Sequence, residues 1–241
     1  QEDFEKIPGS VIAYWCSYKL IDAFASGKCL DEFINMRVGL DTGDNDKYVR
    51  IWHEVNYEKI GFGFESKNEF SIKGYKWVPH TKGGPVTKWY GNLEYVLAYD
   101  EKNYQLLLES GNHLPSRKYY FLEGLNWTRI SSSKFGVRYI PKGFVFNSAC
   151  PTGFTSDKNE LFYFMAFMNT KITYNILQLL NPTLNFQVGT LSKLPVIETD
   201  EPRIKQEIVE LSKQNIDISI ENWNSYETAW DFDIHPLLKY K

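Results

Sequence analysis

The stretch Ser156–Leu180 constrains the fold most. It runs for 25 residues, is rich in Leu, Phe and Met, and meets no proline until Asn181-Pro182. A proline ring cannot continue the helical hydrogen-bond ladder, so the spacing predicts one long helix over about 156–180. Its apolar residues suit a core-facing surface. Thr199-Asp200-Glu201-Pro202 predicts the start of a second helix through about Ile216, with acids at its positive end and proline early. A shorter helical segment is expected near Ser225–Trp230.

Upstream the pattern changes. Gly and Pro punctuate the chain and aromatics make up 16% of it, which favours strands and extended loops. Ile7–Ser17 reads as an entry turn and an apolar run. Ser17–Gly27 reads as a helix capped by Ser17, with Leu20, Ile21 and Phe24 on one face. Val49–Val55 and Glu94–Tyr99 read as strands, and Asp100–Asn103 as a turn ahead of Gln105–Leu108. Val137–Asn147 reads as a strand, a Pro-Lys-Gly turn and a returning strand. Residues 56–80 show weak periodicity and support no assignment. The class expected is α+β: a β-rich domain over 1–196 that includes the 156–180 helix, then a C-terminal helical region beginning in 197–241.

Several functional classes are disfavoured. No run of 18 apolar residues and no charged-then-apolar leader is present, which predicts a soluble, cytoplasmic chain with no membrane partner. Cys16, Cys29 and Cys150 are odd in number and lack metal-ligand spacing, so they read as reduced thiols. Nucleophile-elbow, phosphate-loop and zinc-protease motifs are missing. Asp41, Asp44 and Asp46 imitate a calcium loop but lack its spacing and terminal Glu. Neither a catalytic constellation nor a bound cofactor is expected in this segment.

Binding chemistry is better represented. Residues 37–142 carry 16 basic and 12 acidic side chains, whereas 157–241 carry 8 and 12. Within the basic part, Thr81–Asn92 reads TKGGPVTKWYGN and has no acid. Its glycines permit close backbone approach, Lys82 and Lys88 supply point charges, and Trp89 and Tyr90 supply flat faces. An ordinary turn followed by a half-buried strand uses the same residues. Arg37, Lys47 and Arg50 flank the Gly39–Asn45 loop. Arg129, Ser131–Ser133, Lys134 and Arg138 form a further cluster. The contacts expected with double-stranded DNA are Lys82, Lys88, Asn92, Arg129, Ser132, Lys134 and Arg138.

Four blocks, GLDTGDNDKYVRIWHEV, KGGPVTKWYGN, GLNWTRISSSKFGVRYIPKGFVFN and LLNPTLNFQVGTLSKLPV, resemble the large adenine-specific DNA methyltransferases of BREX phage-defence systems, the PglX family. IPGSVIAYW and ENWNSYETAWDFDIHPL resemble that family too. More distantly, the NFQVGTLSKLP block and the helix before it resemble target-recognition domains of type I specificity subunits and type IIG restriction-modification enzymes. In the family, the S-adenosylmethionine loop and an Asn-Pro-Pro-Tyr motif lie N-terminal to these blocks. Here the one Asn-Pro, Asn181-Pro182, continues Thr183-Leu184. The resemblance implies a target-recognition segment of a longer protein, which the start at Gln1 also suggests. S-adenosylmethionine, base flipping and methyl transfer would belong to the missing N-terminal half. The resemblance implies that the parent marks host DNA at an asymmetric site and helps block phage DNA replication. Its Thr81–Asn92 block implies backbone positioning by Lys82 and Lys88, with Trp89 and Tyr90 packing. The alternative is a module docking onto other defence-complex subunits. A carbohydrate-binding β domain stacking sugars on Trp77, Trp89 and Tyr90 is a third reading.

Overall fold

The computed structural model describes residues 7–8, 16–132 and 134–240; most of the Ile7–Ser17 run and Ser133 lie outside the described residues. The chain forms helix α1 (Tyr18–Ser26), strands β1 (Lys28–Cys29) and β2 (Asn35–Arg37), a short helix α2 (Asn45–Tyr48) and strand β3 (Val49–Ile51). Helix α3 (Lys67–Lys73), strands β4 (Trp77–His80) and β5 (Tyr95–Ala98), and helix α4 (Glu101–Glu109) follow. Next come strands β6 (Gly124–Trp127), β7 (Val137–Ile140) and β8 (Thr152–Phe154). Helices α5 (Lys158–Met168), α6 (Lys171–Leu180) and α7 (Val188–Leu191), strand β9 (Pro195–Val196) and helix α8 (Pro202–Asn224) complete the chain. The α+β class holds.

Three antiparallel sheets organise these elements, in the orders β1-β9, β2-β8-β6-β7 and β3-β5-β4. The four-stranded sheet and the late helices share one core, in which Leu125, Trp127, Val137, Phe164, Leu177 and Ile216 are buried together. The three-stranded sheet builds a second core around Tyr48, Phe70, Val78, Val96, Tyr99 and Phe121. Burying each such large side chain contributes about 1.5–3 kcal/mol. Val145, Phe146 and Phe154 sit in this second core although their segments follow or belong to the larger sheet, which ties the two together.

Local capping explains the elements that the sequence indicates. Ser17 accepts a hydrogen bond from the Leu20 amide, and the Gly27 amide closes onto Ala23. Pro202 stands in the first turn of α8, where its missing N–H costs nothing. Leu180 is the last residue of α6, as Asn181-Pro182 requires.

Six expectations are corrected. The single 156–180 helix is two: Asn169 ends α5, and Thr170 turns extended and caps α6 by accepting from the Thr173 amide. The strand expected to Val55 stops at Ile51, where Trp52–Glu54 make a 3-10 turn. Asp100 does not merely begin a turn ahead of Gln105–Leu108. It caps α4, whose helix contains those residues. The segment returning after Pro141-Lys142-Gly143 does not pair back onto β7. Val145 instead bridges His80, and Asn147 bridges Leu40. Helix α8 runs to Asn224 rather than Ile216, and Ser225–Trp230 form turns instead of a helix. Those turns are held by the Trp52 indole, which donates to the Thr228 carbonyl at 2.8 Å, and by Phe62 against Trp230.

Candidate nucleic-acid interface

The Thr81–Asn92 loop is built from its own polar groups. The Thr81 hydroxyl is buried and accepts from the Asn147 amide at 3.2 Å. Asn92 closes the loop: its side-chain amide donates to the Pro85 carbonyl at 2.7 Å and its oxygen accepts from the Thr87 hydroxyl at 3.1 Å. Asn92, expected from sequence as a DNA contact, braces the loop in this structure, with both ends of its amide engaged. Trp89 and Asn92 take positive φ of 71° and 58°, which side-chain-bearing residues rarely hold without such fixing. The Trp89 amide and carbonyl bond Val137 and Tyr139, laying the loop along β7.

The aromatic pair packs as expected. Tyr90 is buried in a small cluster with Leu93, Ile140 and Phe144, and Trp89 packs half-buried against the main core. Trp77 is buried as well. Tyr90 and Trp77, enclosed in this way, offer no open face for stacking a sugar.

The lysines differ from one another. The Lys82 ammonium lies 4.7 Å from the centre of the Tyr95 ring, a cation–π contact. Lys88 is exposed, and its ammonium donates to the main-chain carbonyl of Asn169 at 2.6 Å. Partial burial, then the charges of Lys134 and Lys171, hold the Lys88 ammonium below the ordinary lysine value. Lys134 and Lys171 are exposed. Among the described residues, none of these three lysines pairs with a carboxylate, in contrast to Lys67, Lys142, Lys158 and Lys205.

The Arg129–Arg138 cluster divides. Arg129 is half-buried, its main chain bonds Ala149 and Phe186, and its Nε is enclosed without a partner. Ser132 is exposed. Arg138 is 0% exposed: its guanidinium donates to the Thr128 hydroxyl at 3.3 Å and to the Cys150 sulfur at 3.2 Å. The expected DNA contact by Arg138 is thus corrected. Strand β7 is covered on both faces, and clustering of basic residues in sequence does not tell which side chains a buried strand turns inward. Burial depresses the guanidinium's proton affinity, and the nearby thiol opposes this.

Sequence reasoning missed Asn169 and Lys171. Thr170 three residues before Thr173 is the available signal, a hydroxyl at N-cap spacing inside an apolar helix pattern. Elsewhere, Asp44 caps α2 by accepting from the Lys47 amide. No cluster of three His, Cys, Asp or Glu suited to a metal occurs among the described residues. No helix among them is long and apolar enough to cross a membrane.

No family model matches this sequence. The adenine-specific methyltransferase PglX of Lacticaseibacillus casei (strain Zhang) is 36% identical over 248 residues, covering 99% of this chain and 20% of that protein. The adenine-specific methyltransferase BrxX of Escherichia coli O9:H4 (strain HS) is 37% identical over 247 residues, covering 100% and 19%. The chain thus spans about a fifth of the length of these curated relatives. In fold it matches the type IIL restriction-modification enzyme MmeI, solved in complex with DNA. The TM-score is 0.53 at 11% identity, over 87% of this chain and 30% of that one. Over its whole length, this chain is homologous to one segment of the adenine-specific methyltransferases PglX and BrxX.

Proposed function

We propose that this chain is the DNA target-recognition segment of a longer adenine-specific methyltransferase acting in phage defence. Residues 1–196 would hold the duplex and 197–241 begin a helical region. S-adenosylmethionine and catalysis would belong to the rest of the parent, in the cytoplasm. The observation that carries this reading is the exposed pair Lys88 and Lys134, unpaired with any carboxylate among the described residues, within a segment homologous to adenine-specific methyltransferases. Likeness in fold to an enzyme solved with DNA supports it. Lys82, Arg129 and Ser132 are the remaining contacts proposed. Removing both charges, Lys88→Ala with Lys134→Ala, in the full-length parent is expected to weaken duplex binding and lower the salt slope by about 2. Genomic methylation should fall with it. Unchanged affinity and unchanged methylation would sink this reading.

A second reading has an observation of its own. Ile204, Leu211 and Ile218 are exposed on α8 at seven-residue spacing, a stripe along one face. Such a stripe suits docking against another helix of the parent or its partners. Leu211→Glu with Ile218→Glu is expected to leave duplex affinity intact while reducing co-purification of the parent with other defence subunits. Full co-purification of the double variant would remove this reading.

A further inference from the structure

The break between α5 and α6 does more than interrupt a helix. Asn169, 7% exposed, binds β7 with both ends of its side chain: its oxygen accepts from the Val137 amide and its nitrogen donates to the Val137 carbonyl, each at 2.9 Å. Its main-chain carbonyl is what the Lys88 ammonium bonds. One residue therefore fastens three pieces of chain that are distant in sequence. Each piece delivers a lysine: Lys88 from the loop, Lys134 three residues before Val137, and Lys171 two residues after Asn169. Had α5 continued through Asn169 as a regular helix, Thr170 would not cap a new one, and Lys171 would not open it.

We propose that Lys88, Lys134 and Lys171 form one phosphodiester-binding clamp, assembled at the Asn169–Thr170 break, which holds the DNA backbone without reading bases. This rests on the DNA-binding reading above and adds to it Lys171, the role of the helix break and the part of DNA contacted. Three like charges converge with no carboxylate among the described residues to neutralise them, so an anion is the ligand that relieves their repulsion. A lysine ammonium has three donors; Lys88 spends one on Asn169 and keeps two. All three groups are point charges, which neutralise phosphates from many directions. The cluster has neither the guanidinium fork nor the free carboxamide that discriminates base edges. An acidic protein segment carries similar charge, and the same experiment separates it.

The experiment uses the full-length parent and titrates binding to a random-sequence duplex, and to an acidic Glu-rich peptide, over a salt series. Lys171→Ala, Lys88→Ala and Lys134→Ala are each expected to lower the slope of log affinity against log salt by about 0.9 for duplex, and the triple variant by about 2.7. Lys171→Arg keeps the slope. Lys73→Ala, a lysine at the end of α3, removes the same formal charge and also keeps it. The sequence preference of methylation stays unchanged in every single variant. A second readout is independent of ligand: the Lys88 ammonium, followed by NMR after reductive methylation with carbon-13, titrates higher in Lys171→Ala than in the wild type. If the wild type binds duplex with salt dependence but Lys171→Ala keeps its slope, the clamp is overturned and the DNA reading stands. If peptide displaces duplex at equal charge concentration and depends on the same lysines, the ligand class is overturned. If the wild type binds no duplex at low salt, both readings fall.

Discussion

Trp127→Ala is expected to destabilise the chain by about 4–6 kcal/mol, a cavity loss and a hydrogen-bond loss together. The indole is 0% exposed at the centre of the main core, on β6. Removing so large a buried side chain typically costs about 3–5 kcal/mol, because the surroundings collapse only partly into the space. The indole also donates a hydrogen bond to the Phe186 carbonyl at 2.9 Å, which fastens the segment between α6 and α7 beneath the sheet. Leaving that enclosed carbonyl unpaired adds about 1 kcal/mol or more. Trp127→Phe separates the two parts, since it keeps most of the packing and loses the bond, at about 1–2 kcal/mol. Urea unfolding followed by far-UV circular dichroism measures both. Midpoints of the two variants falling together would show that the indole–carbonyl bond, and not the volume, carries the effect. Net stabilities are about 5–15 kcal/mol, so the Ala variant is expected to populate unfolded chain at ordinary temperature.

The features legible in the sequence are those whose chemistry is local. Ser17 and Gly27 act through hydrogen bonds, and Pro182 and Pro202 through a missing N–H and a fixed φ, all on residues within about one turn, so their effects can be read from neighbours alone. The α5–α6 break depends equally on a local cap at Thr170 and on Asn169 bonding Val137, 32 residues earlier. No periodicity reveals the second half. The same holds for the segment around Val145, which finds its partners at His80 and Leu40 instead of the adjacent strand. Site chemistry follows the same division. Lys88 and Lys134 are exposed, but Arg138, drawn from the same basic cluster, is turned into the core by the pairing of β7 with β6. Basic composition marks the region and tertiary pairing decides which of its side chains reach solvent. The family blocks, by contrast, are legible outright, because they are long, separated and in order.

Acidification is expected to destabilise this chain through His80, with a loss of about 3 kcal/mol between pH 6.5 and about 4. His80 is fully buried, and burial lowers its pKa from 6.5 to about 4, with a smaller lowering from Lys82 and an opposing effect of the Val145 carbonyl. Its bonding explains why the ring is held neutral. Nδ1 lies 2.7 Å from the Val145 carbonyl and so must carry the proton. Nε2 faces the Asn147 side-chain nitrogen at 3.3 Å and so acts as acceptor. A second proton on Nε2 would point at a donor, and the Asn147 oxygen that could replace it already accepts from the Ala149 amide at 2.8 Å. Between the two pKa values the unfolded chain binds a proton that the folded chain refuses. Stability is therefore fully present above pH 6.5 and falls by about 1.4 kcal/mol for each unit down to about pH 4, below which this group contributes no further loss. Carboxylates titrate across part of the same range, so the test is a difference. His80→Asn removes the ionisable ring and leaves an amide able to donate to Val145. The variant is expected to be less stable than the wild type at about pH 7.5, because packing and one hydrogen bond are weakened. The gap should then close steadily as pH falls to about 4.5, measured by urea unfolding at each pH. A gap that stays constant over that range would mean that the buried ring titrates normally, through a rearrangement of Asn147 that supplies an acceptor.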